Sequence, residues 1–339
     1  MLILSNCLTQ TADEGCLKVA VSLAKRIKAE APDTTVIGYE RKSPLCDEYL
    51  TINKWMLNRK LIAFLRQKKQ PVLFIPFSAK MRSNALRTLV VSLFARGPVL
   101  LMQSMHAEMG TLAKILIKLS GAKILCLSEC SYGYYQKRVG KQAVYLKTGV
   151  DTGRFSPCTP EEKKALRKKY KLPEEKPIVL HVGHLKSGRN IGQFLKLQPQ
   201  FHGLLVVSTH RAEEQDEGLR QQLTAQKNLT LIDTFQPNME EIYRMADVYL
   251  FPVEEKKSCI DVPLSALEAA ACGIPVVTTP FREMKTLLGQ DGFYEIRSFE
   301  PEQLNALLER AVAERKNPRA GVLAYHWQNA VDQLLKTKL

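Results

Sequence analysis

Short apolar runs alternate with helical stretches along almost the whole chain, and this alternation constrains the fold more than any other feature of the sequence. Runs such as Leu2–Ser5 and Val99–Gln103 are apolar at nearly every position, which is typical of strands that are buried on both faces. Buried strands with helices between them predict parallel sheets covered by helices on both sides. We therefore expect a doubly wound α/β protein.

One charged stretch interrupts the alternation, at residues 157–177, where prolines flank a run without an apolar strand. We predict a linker there, between an N-terminal Rossmann-like domain over residues 1–156 and a C-terminal one over residues 178–322. The last segment, residues 323–339, is expected to return as a helix to the N-terminal domain. Two such domains facing each other leave a cleft at the carboxyl ends of their strands, where open α/β sheets bind ligands.

The two halves of the chain differ in charge. The 339 residues carry a net charge of +15, and residues 1–150 hold 23 Lys or Arg against 9 Asp or Glu. This asymmetry predicts an anionic partner for the first half: a lipid surface, a phosphorylated acceptor or nucleic acid. Aromatic residues are only 7% of the chain and do not interleave with the basic clusters, so we expect no nucleic-acid partner.

A basic helical stretch at residues 53–70 leaves two interpretations open. Its apolar positions fall on one helical face, which comprises Leu57, Leu61, Phe64 and Leu65. That face either packs on the sheet as an ordinary domain helix does, or the basic remainder docks on an anionic membrane leaflet. The two interpretations are compatible, because they use different faces.

The location of the protein is predicted from three patterns. The most apolar stretch, residues 88–105, is broken by Arg96, Gly97 and Pro98, so we expect no membrane-spanning helix. The N-terminus has no basic segment followed by a long apolar one, so we expect no signal peptide. Eight cysteines without a C-x-x-C pair predict reduced thiols. Together these features predict a cytoplasmic protein, with peripheral contact at the inner membrane face as an extension.

The segment 261–279 contains the strongest local pattern. Pro263 suits the first turn of a helix, the following Leu- and Ala-rich residues are helix formers, and Gly273 suits the position that ends it. A single carboxylate, Glu268, stands in the middle of this apolar helix. It is either a surface glutamate or a carboxylate that accepts two vicinal hydroxyls, as acidic residues do with a ribose.

With the Ala246–Asp247 pair and strand before it, this segment resembles the donor-binding signature of glycosyltransferase family 4, a family of retaining enzymes with the GT-B architecture. Other segments are similar to that family in the same order along the chain: residues 149–157, 181–189, 232–245 and 325–331. The resemblance spans roughly residues 120–335 and implies a retaining, hexosyltransferase-like enzyme. It would move a sugar from a UDP-, GDP- or ADP-sugar to a glycan or lipid-linked acceptor, without a further cofactor.

The resemblance also implies roles for individual residues. Glu268 would hold the donor ribose and Arg189 the donor diphosphate, where a fixed cation stabilises the charge that the leaving group gains. Gly183 would admit a phosphate beside it, because it has no side chain. The amides at the start of the helix at Leu264 would face the same diphosphate. Two neighbouring residues match the loop that lines the base: Thr234 and Phe235.

The sequence departs from the family at several positions. The first glutamate of the family pair is replaced by Ile260, and the adjacent Asp261 is the candidate substitute. The arginine that follows Gly183 in the family is His184 here, which makes one diphosphate contact pH-dependent. These departures leave two alternatives open: a catalytically silent GT-B subunit of a glycosyltransferase complex, or a nucleotide-sugar epimerase or hydrolase of the same architecture.

Two absent motifs narrow the chemistry. The sequence has no Asp-x-Asp, the motif with which metal-dependent transferases grip a diphosphate, so we predict a metal-independent reaction. It also has no G-x-G-x-x-G after a strand, which argues against hydride transfer.

The first half offers two candidate positions. Gly15 opens the helix after the first strand and is expected to allow a close approach to acceptor or donor phosphate. Asp13 or Glu14 beside it either binds an acceptor hydroxyl or caps the helix. His106 follows the apolar run 99–105 and is expected at the carboxyl end of a strand, near the donor sugar, or else in a surface loop.

Overall fold

The computed structural model describes residues 1–9, 14–40, 42–67, 69–208 and 215–336. The chain groups into two compact units. The first unit takes most of the N-terminal half, the short segment Ile260–Val262 and the C-terminal helix Trp327–Lys336. The second unit takes Gly149–Cys259 and Pro263–His326.

The first unit contains a parallel sheet of seven strands among the described residues. The strands are β1 (Leu2–Ser5), β2 (Thr35–Tyr39), β3 (Glu48–Leu50), β4 (Val72–Ile75), β5 (Val99–Gln103), β6 (Lys123–Cys126) and β7 (Ala143–Tyr145). Their order is β3-β2-β1-β4-β5-β6-β7, so the strand order reverses between β1 and β4. The apolar runs that the sequence marks as strands form the centre of this sheet, because both of their faces are covered.

Five helices connect the strands of the first unit: α1 (Gly15–Glu30), α2 (Arg59–Gln67), α3 (Met81–Phe94), α4 (Thr111–Ser120) and α5 (Glu129–Val139). The C-terminal helix packs against α1 and donates a hydrogen bond of 2.9 Å from Gln333 Nε2 to the carbonyl of Tyr145. The helix Trp327–Lys336 therefore belongs to the first unit.

The second unit contains a parallel sheet of six strands within the described part of the chain. The strands are β8 (Ile178–Gly183), β9 (His202–Val207), β10 (Leu229–Ile232), β11 (Val248–Phe251), β12 (Val276–Thr278) and β13 (Phe293–Glu295). Their order is β10-β9-β8-β11-β12-β13, so the reversal falls between β8 and β11. The helices are α6 (Pro160–Lys169), α7 (Glu217–Thr224), α8 (Met239–Met245), α9 (Leu264–Ala271), α10 (Met284–Leu287), α11 (Pro301–Glu314) and α12 (Arg319–Val322).

The stretch 157–177, expected as a linker, lies in the second unit. Its helix α6 begins with a capping box, in which Thr159 and Glu162 bond each other's backbone amides. The guanidinium of Arg167 is buried and donates to the carboxylate of Asp247 and, at 2.9 and 3.0 Å, to the carbonyl of Met245. These contacts attach α6 to the second sheet.

Leu57 corrects the prediction for the basic stretch 53–70. The side chain of Asn58 accepts a hydrogen bond of 3.1 Å from the amide of Leu61, so the helix α2 begins only at Arg59. Leu61 and Leu65 are buried as expected, whereas Leu57 precedes the helix and is exposed.

Candidate active site

The reversal of strand order in the second sheet brings two loops together. One starts after Gly183, the last residue of β8, and carries His184 and Arg189, and the other follows β11 and leads into α9. Ligands of open α/β sheets bind at this kind of position, outside the carboxyl ends of the strands. The predicted donor residues on these two loops and on α9 therefore lie in one neighbourhood.

Arg189 is held tightly in this neighbourhood. Its side chain is buried, and Nε donates a hydrogen bond of 3.1 Å to the carbonyl of Ser258 in the loop after β11. Its Nη1 lies against the α-carbon of Gly183, where any side chain at position 183 would collide with it. The turn that brings Arg189 back over the strand ends at Asn190, in the left-handed conformation at φ 58°.

His181 is a residue that sequence reasoning missed as part of this arrangement. Its Nδ1 lies 2.9 Å from the carbonyl of Leu250, which only accepts hydrogen bonds, so Nδ1 carries the hydrogen. Burial, together with the positive charge of Arg189, lowers the pKa of His181 to about 3. Its Nε2 has no hydrogen-bond partner among the described residues and lies on the Gly183 side, beside the Arg189 guanidinium. The one available signal was a histidine inside an otherwise apolar strand.

His184 and Leu264 occupy the ends of these loops. His184 is buried directly after β8, and its carbonyl accepts the amide of Lys186 at 3.1 Å. Leu264 is the first residue of α9 and is buried. The amides of Ala266 and Leu267 close the first turn of α9 onto the carbonyl of Pro263, at 3.0 and 3.2 Å.

Glu268 is a buried carboxylate on α9 rather than a surface glutamate. Only 5% of it is exposed, and its Oε2 accepts a hydrogen bond of 2.7 Å from the hydroxyl of Tyr243 on α8. Burial and the neighbouring charge of Glu268 raise the pKa of Tyr243 well above its usual value. Tyr243 therefore remains a neutral donor that orients the carboxylate.

A path of contacts joins Glu268 to Arg189. Ser265 stands one helical turn before Glu268 on α9, and its hydroxyl lies 2.7 Å from that of Tyr249. The rings of Tyr243 and Tyr249 lie 6.2 Å apart. The ring of His181 stacks on that of Tyr249 at 6.0 Å, and His181 lies beside the guanidinium of Arg189. The path from the carboxylate to the guanidinium therefore runs through the two tyrosines and His181.

Thr234 and Phe235 lie at the carboxyl end of β10, and both are exposed. The side-chain Nε2 of Gln236 donates hydrogen bonds to the hydroxyl and to the carbonyl of Thr234, at 3.0 and 3.2 Å. These bonds shape the short loop. The exposed ring of Phe235 offers a flat apolar face of the kind on which bases stack.

Asp261 belongs to the first unit and is fully buried there. Its carboxylate accepts hydrogen bonds from the amide of His106 at 2.7 Å, from the hydroxyl of Ser128 at 3.1 Å and from the hydroxyl of Ser131. Asp261, the candidate substitute for the first glutamate of the pair, therefore anchors residues 260–262 to the loop after β5 and to the start of α5.

This network fixes the ring of His106. The single hydroxyl hydrogen of Ser131 points to the carboxylate of Asp261, so the hydroxyl oxygen accepts from His106 Nδ1, 3.0 Å away. A neutral His106 therefore carries its hydrogen on Nδ1 and a lone pair on Nε2. Tyr134 packs edge-on against the ring at 4.6 Å between centroids, which limits its rotation.

The close neighbour of Gly15 in the structure is a side chain of the protein itself, that of Ile260. A side-chain carbon at position 15 would lie 2.8 Å from Cδ1 of Ile260, closer than packed carbon atoms come. The position of the family's first glutamate is thus filled by an apolar side chain that packs on the first turn of α1. Glu14 precedes this helix in an extended conformation, and Asp13 lies outside the described residues.

The described part of the chain contains no group of three or more His, Cys, Asp or Glu side chains placed to hold a metal ion. Among the same residues, each helix is too short or too polar to cross a membrane.

Comparison with known proteins identifies the fold and relates part of the chain to glycosyltransferases. Residues 176–314, which are less than half of the chain, match the family Glycosyl transferases group 1. The crystal structure of HepE from Anabaena in complex with UDP aligns with a TM-score of 0.78 at 13% identity, covering 99% of this chain and 98% of that chain. The prediction of two Rossmann-like domains in the GT-B fold is therefore confirmed, and the family match within the second unit supports the resemblance to the glycosyltransferases.

Two curated relatives are transferases. The GDP-mannose-dependent monoacylated alpha-(1-6)-phosphatidylinositol monomannoside mannosyltransferase of Corynebacterium glutamicum is 30% identical over 143 residues, 39% of this chain and 37% of the relative. The D-inositol 3-phosphate glycosyltransferase of Geodermatophilus obscurus is 27% identical over 217 residues, 58% of this chain and 46% of the relative. The matched region spans less than half the length of each relative.

Proposed function

We propose that the protein is a retaining, metal-independent glycosyltransferase that moves a sugar from a nucleotide-sugar donor to a glycan or lipid-linked acceptor. The second unit would bind the donor and the basic first unit the acceptor. The observation that carries the proposal is the path of contacts from Glu268 through two tyrosines and His181 to Arg189, at the point where the strand order of the second sheet reverses. UDP bound to HepE and the GDP-mannose named for the C. glutamicum relative support a nucleoside diphosphate as the carrier.

In this proposal, separate residues bind the nucleoside and the diphosphate of the donor. The carboxylate of Glu268 accepts hydrogen bonds from the two ribose hydroxyls, while Phe235 stacks on the base. The guanidinium of Arg189 pairs with the diphosphate and stabilises the negative charge that grows on it as the sugar leaves. Because Gly183 has no side chain, the guanidinium can occupy the space against it, and the start of α9 at Leu264 supplies a favourable dipole.

The reaction exchanges one bond for another at the anomeric carbon. The bond between this carbon and the donor phosphate oxygen breaks, and the acceptor oxygen bonds to the same carbon on the same face. The acceptor proton passes to the departing phosphate oxygen. In this scheme His106, with its lone pair on Nε2, accepts a hydrogen bond from a hydroxyl of the donor sugar and so orients the ring.

Turnover of a donor panel tests the proposal. The protein would be incubated with UDP-, GDP- and ADP-sugars and an extract of glycan and lipid acceptors, with and without a metal chelator. We expect one donor to be consumed, the product to keep the donor's anomeric configuration by NMR, and the chelator to have no effect. An inverted product, or loss of turnover with the chelator, would contradict the retaining or the metal-independent part.

A specific observation favours one second candidate, a silent subunit of a glycosyltransferase complex. Ile260 replaces a glutamate of the family and packs on Gly15, and the adjacent Asp261 is committed to Ser128 and Ser131. Glu268→Ala distinguishes the two functions. If the protein is an enzyme, this change abolishes turnover. If it is a silent subunit, the wild type shows no turnover, and the variant still binds the partner enzyme.

A further inference from the structure

The outward side of α4 is apolar. Ala113 and Ile117 point into the core of the first unit. Leu112, Ile115 and Leu119 are exposed to 46%, 47% and 70%, and their spacing of three and four residues puts them on one side of the helix. A helix that packs on a sheet ordinarily carries polar residues on this side, so the exposed stripe requires an explanation.

The neighbouring helix α3 extends this apolar side. Leu93, near the end of α3, is exposed to 70%. The helices α3 and α4 follow successive parallel strands and pack against each other, so right-handed crossovers put them side by side on the same face of the sheet. We call the four exposed residues Leu93, Leu112, Ile115 and Leu119 the α3–α4 surface.

Basic side chains accompany the α3–α4 surface. Lys118 on α4 and Arg96 just after α3 are exposed, and Lys114 is half-buried beside the stripe. Over residues 49–128 the sequence holds 13 Lys or Arg and one acidic residue, Glu108. An occupant of this surface must therefore be apolar and negatively charged at the same time.

Trp55 and Leu57 add to the same side of the unit. Both are about half exposed, just before α2. The carbonyl of Lys54 accepts a hydrogen bond of 3.4 Å from Arg87 Nε on α3, which ties this turn to the helix pair. Tryptophan beside basic residues is common where a protein meets the boundary between lipid headgroups and acyl chains.

We propose that the α3–α4 surface docks the protein on a lipid bilayer that contains anionic headgroups. The leucine and isoleucine side chains would enter the boundary between headgroups and acyl chains, while the lysine and arginine side chains pair with the headgroups. A second copy of the chain is a poorer occupant, because two surfaces of the same strong positive charge repel each other. The proposal does not rest on the transferase function, and it centres the contact on α3 and α4, to which the basic stretch 53–70 adds only its first turn, with Trp55 and Leu57.

Vesicle sedimentation with the full-length protein tests the proposal. The vesicles would consist of phosphatidylcholine alone or of phosphatidylcholine with phosphatidylglycerol. The test variant is Leu112→Ser/Ile115→Ser/Leu119→Ser, and the matched control is Leu323→Ser, an equally exposed leucine of the second unit. We expect the wild type and the control to bind only the anionic vesicles, more weakly at high salt, and the triple variant to bind at least about tenfold more weakly.

A second measurement needs no variant. Hydrogen exchange of the wild-type protein, with and without anionic vesicles, reports which amides become protected. We expect protection in peptides that cover α4 and the end of α3. Binding that is unchanged in the triple variant, protection elsewhere in the chain, no recruitment at low salt, or a wild-type dimer that the triple variant dissociates would each overturn the proposal.

Discussion

The hydroxyl of Tyr243 donates a hydrogen bond of 2.7 Å to Oε2 of Glu268, and both groups are buried. This bond holds a carboxylate in a fixed orientation inside an apolar helix, where an unpartnered charge would be unfavourable. An orientation fixed in this way suits a group that must accept hydrogen bonds from two adjacent hydroxyls.

Removal of that hydroxyl should weaken donor binding without unfolding the protein. Tyr243→Phe keeps the ring and its edge-on contact with Phe155, but Glu268 loses an orienting donor. We expect the Kd of the donor, measured by calorimetry, to rise by about 10- to 20-fold, since a hydrogen bond to a charged group contributes about 1.5 kcal/mol or slightly more. Tyr170→Phe is the matched control, because Tyr170 bonds Glu241 elsewhere in the same unit. An equal effect of the two variants would contradict the role of Tyr243.

A methyl group at position 183 should displace the cation that we assign to the diphosphate. In Gly183→Ala the new carbon meets Nη1 of Arg189, which is the far end of a flexible side chain and can move at little expense of stability. We expect the melting temperature to stay nearly unchanged and donor affinity to fall about tenfold or more, because the charge-assisted contact loses its geometry. Gly192→Ala is the control, since its nearest neighbour, Leu219, is 4.0 Å away. Wild-type affinity in Gly183→Ala would show that Arg189 does not bind the donor from this position.

Asp261 should contribute more to stability than an exposed carboxylate does. Asp261→Ala leaves the buried amide of His106 and the hydroxyls of Ser128 and Ser131 without their acceptor. We expect urea unfolding to show a loss of about 2–4 kcal/mol. The control Asp233→Ala removes an exposed partner of Arg220 and should change stability by less than about 1 kcal/mol. A loss at position 261 no larger than in the control would contradict the network.

The neutral His181 should make the protein less stable in acid. Its pKa is lowered from 6.5 to about 3 in the folded state, so the unfolded chain binds one more proton between these values. The free energy of unfolding therefore decreases as the pH falls below about 6.5, with a slope that approaches 1.4 kcal/mol per pH unit from this group. Urea unfolding of the wild type and of His181→Leu at pH 7 and pH 5 isolates this contribution, because the buried His202 remains in both proteins. If the free energy of unfolding changed equally with pH in the two proteins, the contribution assigned to His181 would be contradicted.

The sequence predicted the sheet framework because fully buried strands leave a continuous apolar pattern. Runs such as Leu2–Ser5 and Val99–Gln103 coincide with observed strands and are buried at every position. The short strands Glu48–Leu50 and Phe293–Glu295 were missed, since three residues, some of them polar, give no periodic signal. Their pairing is determined by the neighbouring strand rather than by their own residues.

Within the candidate site, the sequence predicted only those residues whose type and motif alone indicate a chemical role. The motif resemblance pointed to Glu268 and Arg189, and the structure adds the tyrosines that connect them. The contacts of Asp261 could not be read from the sequence, because Ser128 and Ser131 are about 130 residues away along the chain. His181 was missed for a similar reason: its charge state depends on burial and on Arg189, not on its neighbours in sequence.

The central claim is that a nucleotide sugar binds to the second unit between the carboxylate of Glu268 and the guanidinium of Arg189. Calorimetric titration of the full-length protein with UDP-, GDP- and ADP-sugars tests it most directly, with Glu268→Ala, Arg189→Ala and the exposed control Glu309→Ala alongside. We predict that one donor binds the wild type and the control with a Kd below about 1 mM, the upper end of usual substrate affinities, and that both site variants bind it at least about tenfold more weakly. Failure of the wild type to bind any donor, or equal affinity in all four proteins, would contradict the claim.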